Sequence, residues 1–280
     1  MKRIGFVDYY LSEWHANNYP AWIAQAGKAL GLEYEVAYAW AEQEISPVDG
    51  VSTQQWCDKM CVRRCESIEE LCQKSDVIVV LAPSDPQKHL GYAQKVLPFG
   101  KRTYIDKTFA PDVETAQEIF HIAERYGTPF FSTSALRCAE ELKALVGADA
   151  LVLRGGGRSF EEYIIHLAEM AVVLLNDPVR RVRVEQQDAC CLCHVQTQGG
   201  KSAQLVFGEA LSYEAEGTLA DGARVTLPIQ SDFFGKLIAD ILTFFERGEL
   251  PFEPAQTLEV MRMRDALLRA RSAPGEWVEA

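Results

Sequence analysis

Apolar runs and helical stripes alternate along the first half of the chain. Ile4 to Val7 is a short apolar run of the kind that makes a buried strand, and Pro20 to Leu30 has helical periodicity. Glu33 to Ala39 alternates as a strand does, and Ser67 to Gln73 reads as a helix with Ser67 and Glu70 at capping-box spacing. "DVIVVLAPS" is continuously apolar and ends in proline, the pattern of a parallel strand buried on both faces. A helix over Pro86 to Lys95, a strand in "RTYID", a long amphipathic helix over Val113 to Tyr126 and a strand in "TPFFSTSA" complete the series. Strands alternating with helices of this length predict an α/β unit with a right-handed, doubly wound parallel sheet over residues 1–134.

Beyond that the period changes. One helix, Glu161 to Leu175, precedes the period-two runs "RRVRVEQQ", "CCLCHVQ", "SAQLVFG", "LSYEAEG" and "ARVTLP". Gly199-Gly200 and Asp221-Gly222 stand between some of these runs as turn signals, so hairpins are expected. A helix over Asp232 to Arg247, then Gly248, a proline-bearing loop and a last helix from Ala255 to Arg271 close the chain. The pattern predicts an α+β domain over residues 135–280 with a mostly antiparallel open sheet. Its closing helices could pack back on the first domain.

Composition narrows the classes of function. With 48% hydrophobic and 24% charged residues, the 280-residue chain has the balance of a globular protein with a sizeable core. No apolar run approaches the ~20 residues that span a bilayer, and no signal-peptide core opens the sequence, so a cytoplasmic location is expected. A net charge of −12 argues against nucleic acid or an anionic membrane as partner and leaves small molecules. The basic run Arg180-Arg181-Val182-Arg183 alternates with apolar positions and reads as the wet face of a strand. Of eight cysteines, Cys57, Cys61 and Cys65 recur every four residues as if on one helix face. Cys190, Cys191 and Cys193 lie in a strand-like run. Neither spacing is a zinc pattern, so small buried thiols are expected and no metal site.

Candidate chemistry follows from the sheet. In an open parallel sheet, ligands bind beyond the carboxyl ends of the strands. Polar residues stand there at Asp8, at Pro83-Ser84 and at Asp106-Lys107. Lys107 could donate to a substrate hydroxyl or a ribose, or be a solvated loop lysine. The first turn carries Asp8, Tyr9 and Tyr10, where a phosphate-cradling turn needs glycine. In "EEYIIHLAE", Glu162, His166 and Glu169 share one helix face. The carboxylate one turn away could orient the imidazole for proton transfer, the alternatives being a satisfied core histidine or a metal trio.

At these residues the chain resembles the glucose–fructose oxidoreductase / inositol dehydrogenase (Gfo/Idh/MocA) family. The resemblance rests on Pro83 and His89 after a buried strand, the Asp106-Lys107 pair, the long helix and Arg137 that follow, and the Gly248/Pro251 turn. It implies a Rossmann-type first domain, NAD or NADP across the strand ends, and hydride transfer at a hydroxyl-bearing carbon of a sugar or polyol. Cofactor contacts would fall on Asp8, Tyr9, Tyr10, Pro83, Ser84, His89, Asp106, Lys107 and Arg137. Lys107 matches the lysine of a Glu-Lys-Pro motif, although Glu is Asp106 here and Pro is Thr108. Glu162 and His166 match an Asp-x3-His pair whose histidine accepts the proton, and Glu169 falls where a second aspartate often stands. Gly155 to Gly157 matches a glycine run leading into that helix, and His15 a histidine after the glycine loop. A homodimer or higher homo-oligomer is also implied. The departures are the missing Gly-x-Gly-x-x-Gly turn and, after the second strand, Glu42 as the nearest and rather late acid. They leave a second reading, a catalytically degenerate member that binds a small ligand or a protein partner without hydride chemistry.

Overall fold

The first apolar run becomes β1 (Lys2–Asp8), buried from Ile4 to its end, and it is followed by α1 (Trp14–Leu30) and β2 (Tyr34–Ala41). Then come α2 (Thr53–Met60), β3 (Arg63–Arg64), α3 (Ile68–Lys74), β4 (Val77–Val80) and α4 (His89–Val96). The series ends with β5 (Thr103–Ile105), α5 (Val113–Tyr126) and β6 (Phe130–Phe131). The six strands form one parallel sheet in the order β3-β2-β1-β4-β5-β6. Order reverses between β1 and β4, the switch point at which doubly wound sheets leave a crevice. The computed structural model describes residues 1–218 and 222–280. It divides the chain into two compact units, 1–133 with 235–253 and 134–234 with 254–280.

The second sheet is made by β7 (Ala150–Gly155), β8 (Val179–Gln187), β9 (Cys190–Thr197), β10 (Ser202–Gly208), β11 (Glu214–Thr218), β12 (Arg224–Pro228) and β13 (Val278–Glu279). Its order is β12-β11-β7-β10-β9-β8-β13, antiparallel except where β10 runs parallel to β7. α6 (Phe160–Leu175) is buried along most of its length and packs with α8 (Pro254–Arg271). Alternate residues of β8, β9 and β10, among them Val184, Cys193 and Leu205, form the apolar face beneath. α7 (Phe233–Arg247) joins the first unit from Gly235 onward. There Arg102 Nη1 donates to the carbonyls of Phe245 and Glu246 at 2.5 and 3.1 Å, and Lys2 pairs with Glu246.

Several local expectations change. α1 begins at Trp14, six residues before Pro20, which sits inside the helix and removes one N–H from its ladder. The segment from Pro86 starts as a 3₁₀ turn before α4. Cys57, Cys61 and Cys65 do not share a helix face: Cys57 lies in α2, Cys61 ends it at a φ of 56°, and Cys65 lies past β3. At α3, Glu70 N–H donates to Ser67 Oγ at 3.1 Å, but the Glu70 carboxylate takes the N–H of Glu66, so half of the capping box forms. α2 carries a complete one, between Ser52 and Gln55. Asp221 of the expected Asp221-Gly222 turn lies outside the described residues.

Candidate functional site

The carboxyl ends of β1, β2, β4 and β5 bring Asp8, Glu42, Pro83, Asp106 and Lys107 to one edge of the first sheet. Asp8 is 1% exposed; its Oδ1 accepts the N–H of Tyr9 at 2.7 Å and of Ala82 at 3.0 Å. Ala82, whose N–H the aspartate accepts, holds a left-handed φ of 62°, a conformation that an alanine rarely adopts. Glu42 directly follows β2, so it is not late. Its carboxylate pairs with Lys88 at 2.5 Å and accepts the Tyr92 hydroxyl at 2.8 Å. Lys88 Nζ also lies 4.6 Å from the centre of the Tyr9 ring, tying the half-exposed tyrosine to this cluster. Lys107 is partly exposed and donates to the Pro83 carbonyl at 3.0 Å. Ser84 is exposed, whereas His89 is fully buried. The two ring nitrogens of His89 lie on the Leu81 and Phe109 carbonyls, so it braces the loops after β4 and β5 rather than facing a ligand. Burial lowers its affinity for a proton.

The turn between β1 and α1 is solid. Leu11 is 2% exposed, and Ser12 donates to Asp49 at 2.7 Å. Glu13 caps α1 with its side chain: Oε2 accepts His15 N–H at 2.8 Å and Oε1 accepts Ala16 N–H. His15 stands between carboxylates, its Nδ1 3.2 Å from Glu13 Oε2 and its Nε2 3.7 Å from Asp106 Oδ2. Asp106 is 1% exposed and accepts the Tyr104 hydroxyl at 3.1 Å and the Tyr19 hydroxyl at 3.4 Å. Among the described residues no donor reaches Asp8 Oδ2 or Asp106 Oδ2. Burial first, and the Glu13 charge second, raises the Asp8 carboxyl well above the ordinary aspartate range.

In the second unit, His166 lies half-buried on α6, its Nδ1 2.7 Å from the hydroxyl of the fully buried Ser134. Tyr163 and Tyr213 flank the imidazole at centroid distances of 5.6 and 5.9 Å. Ser134 is itself anchored, because its N–H donates to Glu169 Oε2 at 3.3 Å. Glu169 is 3% exposed and also accepts Arg137 Nε at 2.5 Å, while Arg137 Nη1 reaches Gln256. Glu162, expected to orient the imidazole, pairs with Arg158 at 2.6 Å; the group at Nδ1 is the Ser134 hydroxyl. A serine one turn from no part of α6 gives no local signal in the sequence. Arg137, expected at a cofactor, pairs with Glu169 within this unit.

The glycine run owes its composition to packing. A Cβ on Gly156 would fall 1.7 Å from the Gly208 carbonyl oxygen, and one on Gly155 2.3 Å from the Tyr213 ring. A Cβ on Gly157 would meet the Tyr163 ring at 2.1 Å. The run therefore seats the two tyrosines that flank His166, and Tyr213 fixes it further by donating to the Gly156 carbonyl at 2.8 Å.

A dinucleotide seats its diphosphate on the N–H groups at the start of the first helix, where glycines permit close approach. Here Glu13 already accepts two of those N–H groups, Leu11 fills the turn, and Asp8 and Asp106 line it with carboxylates. These residues do not fit a diphosphate held in that way. Gly5, the lone glycine of the segment, serves the packing of α3: a Cβ there would meet Ser75 Oγ and Leu71 Cδ2 at 2.4 and 2.5 Å. Among the described residues no group of three ligating side chains has metal-site geometry. The thiols of Cys57 and Cys65 are pushed by burial up to about 11 and that of Cys72 up to about 12, values of packing groups rather than nucleophiles. No helix is long and apolar enough to cross a membrane among the described residues.

Comparison with known proteins gives a family match and many structural ones. Residues 39–134 match a family described as oxidoreductase family, NAD-binding Rossmann fold. A search of curated proteins by sequence gives no match. A probable dehydrogenase from Thermotoga maritima superposes with a TM-score of 0.80 at 9% identity, covering 99% of this chain and 98% of its own. The myo-inositol dehydrogenase from Lactobacillus casei in complex with NAD(H) and myo-inositol gives 0.78 at 12% identity, over 100% and 97%. A UDP-N-acetylglucosamine 3-dehydrogenase from Acidithiobacillus ferrooxidans gives 0.74 at 13% identity, over 98% and 97%. Identities this low speak for the shared fold.

Proposed function

We propose that this chain, whose residues 39–134 match the Gfo/Idh/MocA oxidoreductase family model, acts on a hydroxyl-bearing small molecule of the sugar or polyol class. His166 accepts the hydroxyl proton and Lys107 donates a hydrogen bond to a ligand oxygen. The observation that carries the reading is the His166 imidazole, set between two tyrosine rings with Nδ1 on a buried serine hydroxyl. When Nδ1–H donates to Ser134 Oγ, the proton-accepting lone pair is on Nε2, the tautomer that a general base requires. Glu169 and Arg137 support the arrangement by holding the Ser134 backbone. The nicotinamide that serves this family belongs to the reading through the family alone, because the β1–α1 turn offers no ordinary diphosphate seat.

The test is a panel of sugars and polyols assayed with NAD and NADP for absorbance of the reduced nicotinamide. Wild type is expected to turn over at least one member, and His166→Ala to lose roughly 10²- to 10⁴-fold in kcat with a smaller change in KM. Turnover that survives His166→Ala intact would overturn the role given to the histidine. A second reading is favoured by one observation, the Glu13 carboxylate on the first-turn N–H groups of α1. It makes the chain a binder of a small ligand or a protein partner without hydride chemistry. It takes over if no nicotinamide is reduced by wild type on any member of the panel.

A further inference from the structure

The β1–α1 turn departs from a phosphate cradle in a specific manner. It is not an emptied cradle, since the donors that would meet a phosphate are engaged by the chain itself. Glu13 is 9% exposed and its two carboxylate oxygens divide between His15 N–H and Ala16 N–H. A carboxylate at this point gains from the helix dipole as a bound phosphate oxygen would. Asp8 and Asp106 add acceptors on the neighbouring strand ends, and each keeps one buried oxygen that no described donor reaches. A dinucleotide's diphosphate consists of acceptors only, so it gives nothing to the buried Asp106 oxygen and competes with Glu13 for the same N–H groups.

We propose that Glu13 is a chain-borne substitute for the diphosphate and the residue that sets ligand charge at the β1/β4 crevice: its carboxylate closes the helix N-terminus to anions. The crevice then admits a ligand whose inner end is uncharged or a hydrogen-bond donor, and a dinucleotide enters only after Glu13 is displaced. This holds whichever reading of His166 is right, because it concerns binding at the first unit and not turnover.

The test uses the full chain and four probes, NAD, NADP, ADP-ribose and inorganic pyrophosphate, titrated by calorimetry. Glu13→Ser removes the carboxylate and keeps a good helix cap, and Glu13→Gln removes the charge at nearly constant shape. Circular dichroism shows that each variant is folded, and Glu13→Gln carries the test alone if the serine variant is not. Wild type is expected to bind all four probes in the millimolar range or more weakly, and the variants to gain about tenfold or more for each. Asp8→Asn, which retains an acceptor for the Tyr9 and Ala82 N–H groups, is expected to gain less. Wild-type binding of NAD or NADP at micromolar levels, unchanged or weakened in both Glu13 variants, overturns the proposal. A gain confined to the adenine-bearing probes and absent for pyrophosphate overturns it as well.

Discussion

Arg137→Met removes a charge and keeps most of the aliphatic volume. In the wild type the guanidinium donates to Glu169 Oε1 at 2.5 Å, with side-chain exposures of 10% and 4%. The variant leaves a buried carboxylate without its guanidinium, while the Ser134 N–H still donates to it at 3.3 Å. Removing one partner of a buried pair costs about 3–5 kcal/mol, because the desolvation of the other is no longer offset. At roughly 2–4 °C per kcal/mol for a unit of this size, the transition of the second unit should fall by about 6–20 °C. Differential scanning calorimetry resolves it, and the double variant Arg137→Met/Glu169→Leu supplies the control. If the cost arises from the orphaned charge, the apolar pair should recover most of the stability. A double variant as unstable as the single one, or a single variant within about 2 °C of wild type, would refute the reasoning. The site responds too: Ser134 is held by Glu169 and sits at His166 Nδ1, so the imidazole resonances of His166 should shift or broaden in the single variant.

Two further outcomes follow from the second unit. Glu141 is half-buried, which opposes its ionisation, yet the Ser231 hydroxyl and the N–H groups of Gln230 and Ser231 hold it down to about 2. A depressed carboxyl contributes stability that is complete above its unfolded value and is lost as pH falls through the folded one. Glu141→Gln should therefore be less stable than wild type near neutrality, with the gap in urea midpoint narrowing from pH 4.5 towards about 2; a gap that is constant with pH counts against the assignment. Gly156→Ala places a Cβ 1.7 Å from the Gly208 carbonyl oxygen, where backbone stands on both sides and neither can swing away. It should cost about 3 kcal/mol or more, and a melting temperature within about a degree of wild type would show that the glycine run is not there for packing.

The parallel sheet was legible because its strands are apolar on both faces and its helices striped, signals that are local in sequence. β4 and α5 fall where the pattern places them. What escaped depended on partners far along the chain. β7 is a short run between Gly147 and the glycine run, its alternate residues alone buried, and it becomes a strand by lying between β11 and β10. The start of α1 escaped for a chemical reason: Pro20 looks like a first-turn proline, and the true cap is a glutamate, a residue type outside the usual N-cap set. Candidate residues could be named from type and position, Lys107 just past a strand end and His166 on a helix. Their neighbours could not. His166 Nδ1 meets Ser134, 32 residues away, and Glu162, the carboxylate at helical spacing, accepts from Arg158.

The absent glycines of the first turn show the difference between reading a motif and reading a structure. A missing Gly-x-Gly-x-x-Gly is compatible with a site that has decayed, and decay would leave helix donors facing solvent or water. Here the donors are engaged, by a side chain that must curl back onto its own helix to reach them. That geometry has a direct physical consequence. Any anion entering the crevice must first break two charge-assisted hydrogen bonds and then lie beside Asp8 and Asp106. An uncharged ligand breaks none of them. The charge class of the ligand is thus set before any residue specific to a substrate is met, and it is set by a glutamate two residues before His15, at the end of the turn where the glycine pattern is missing.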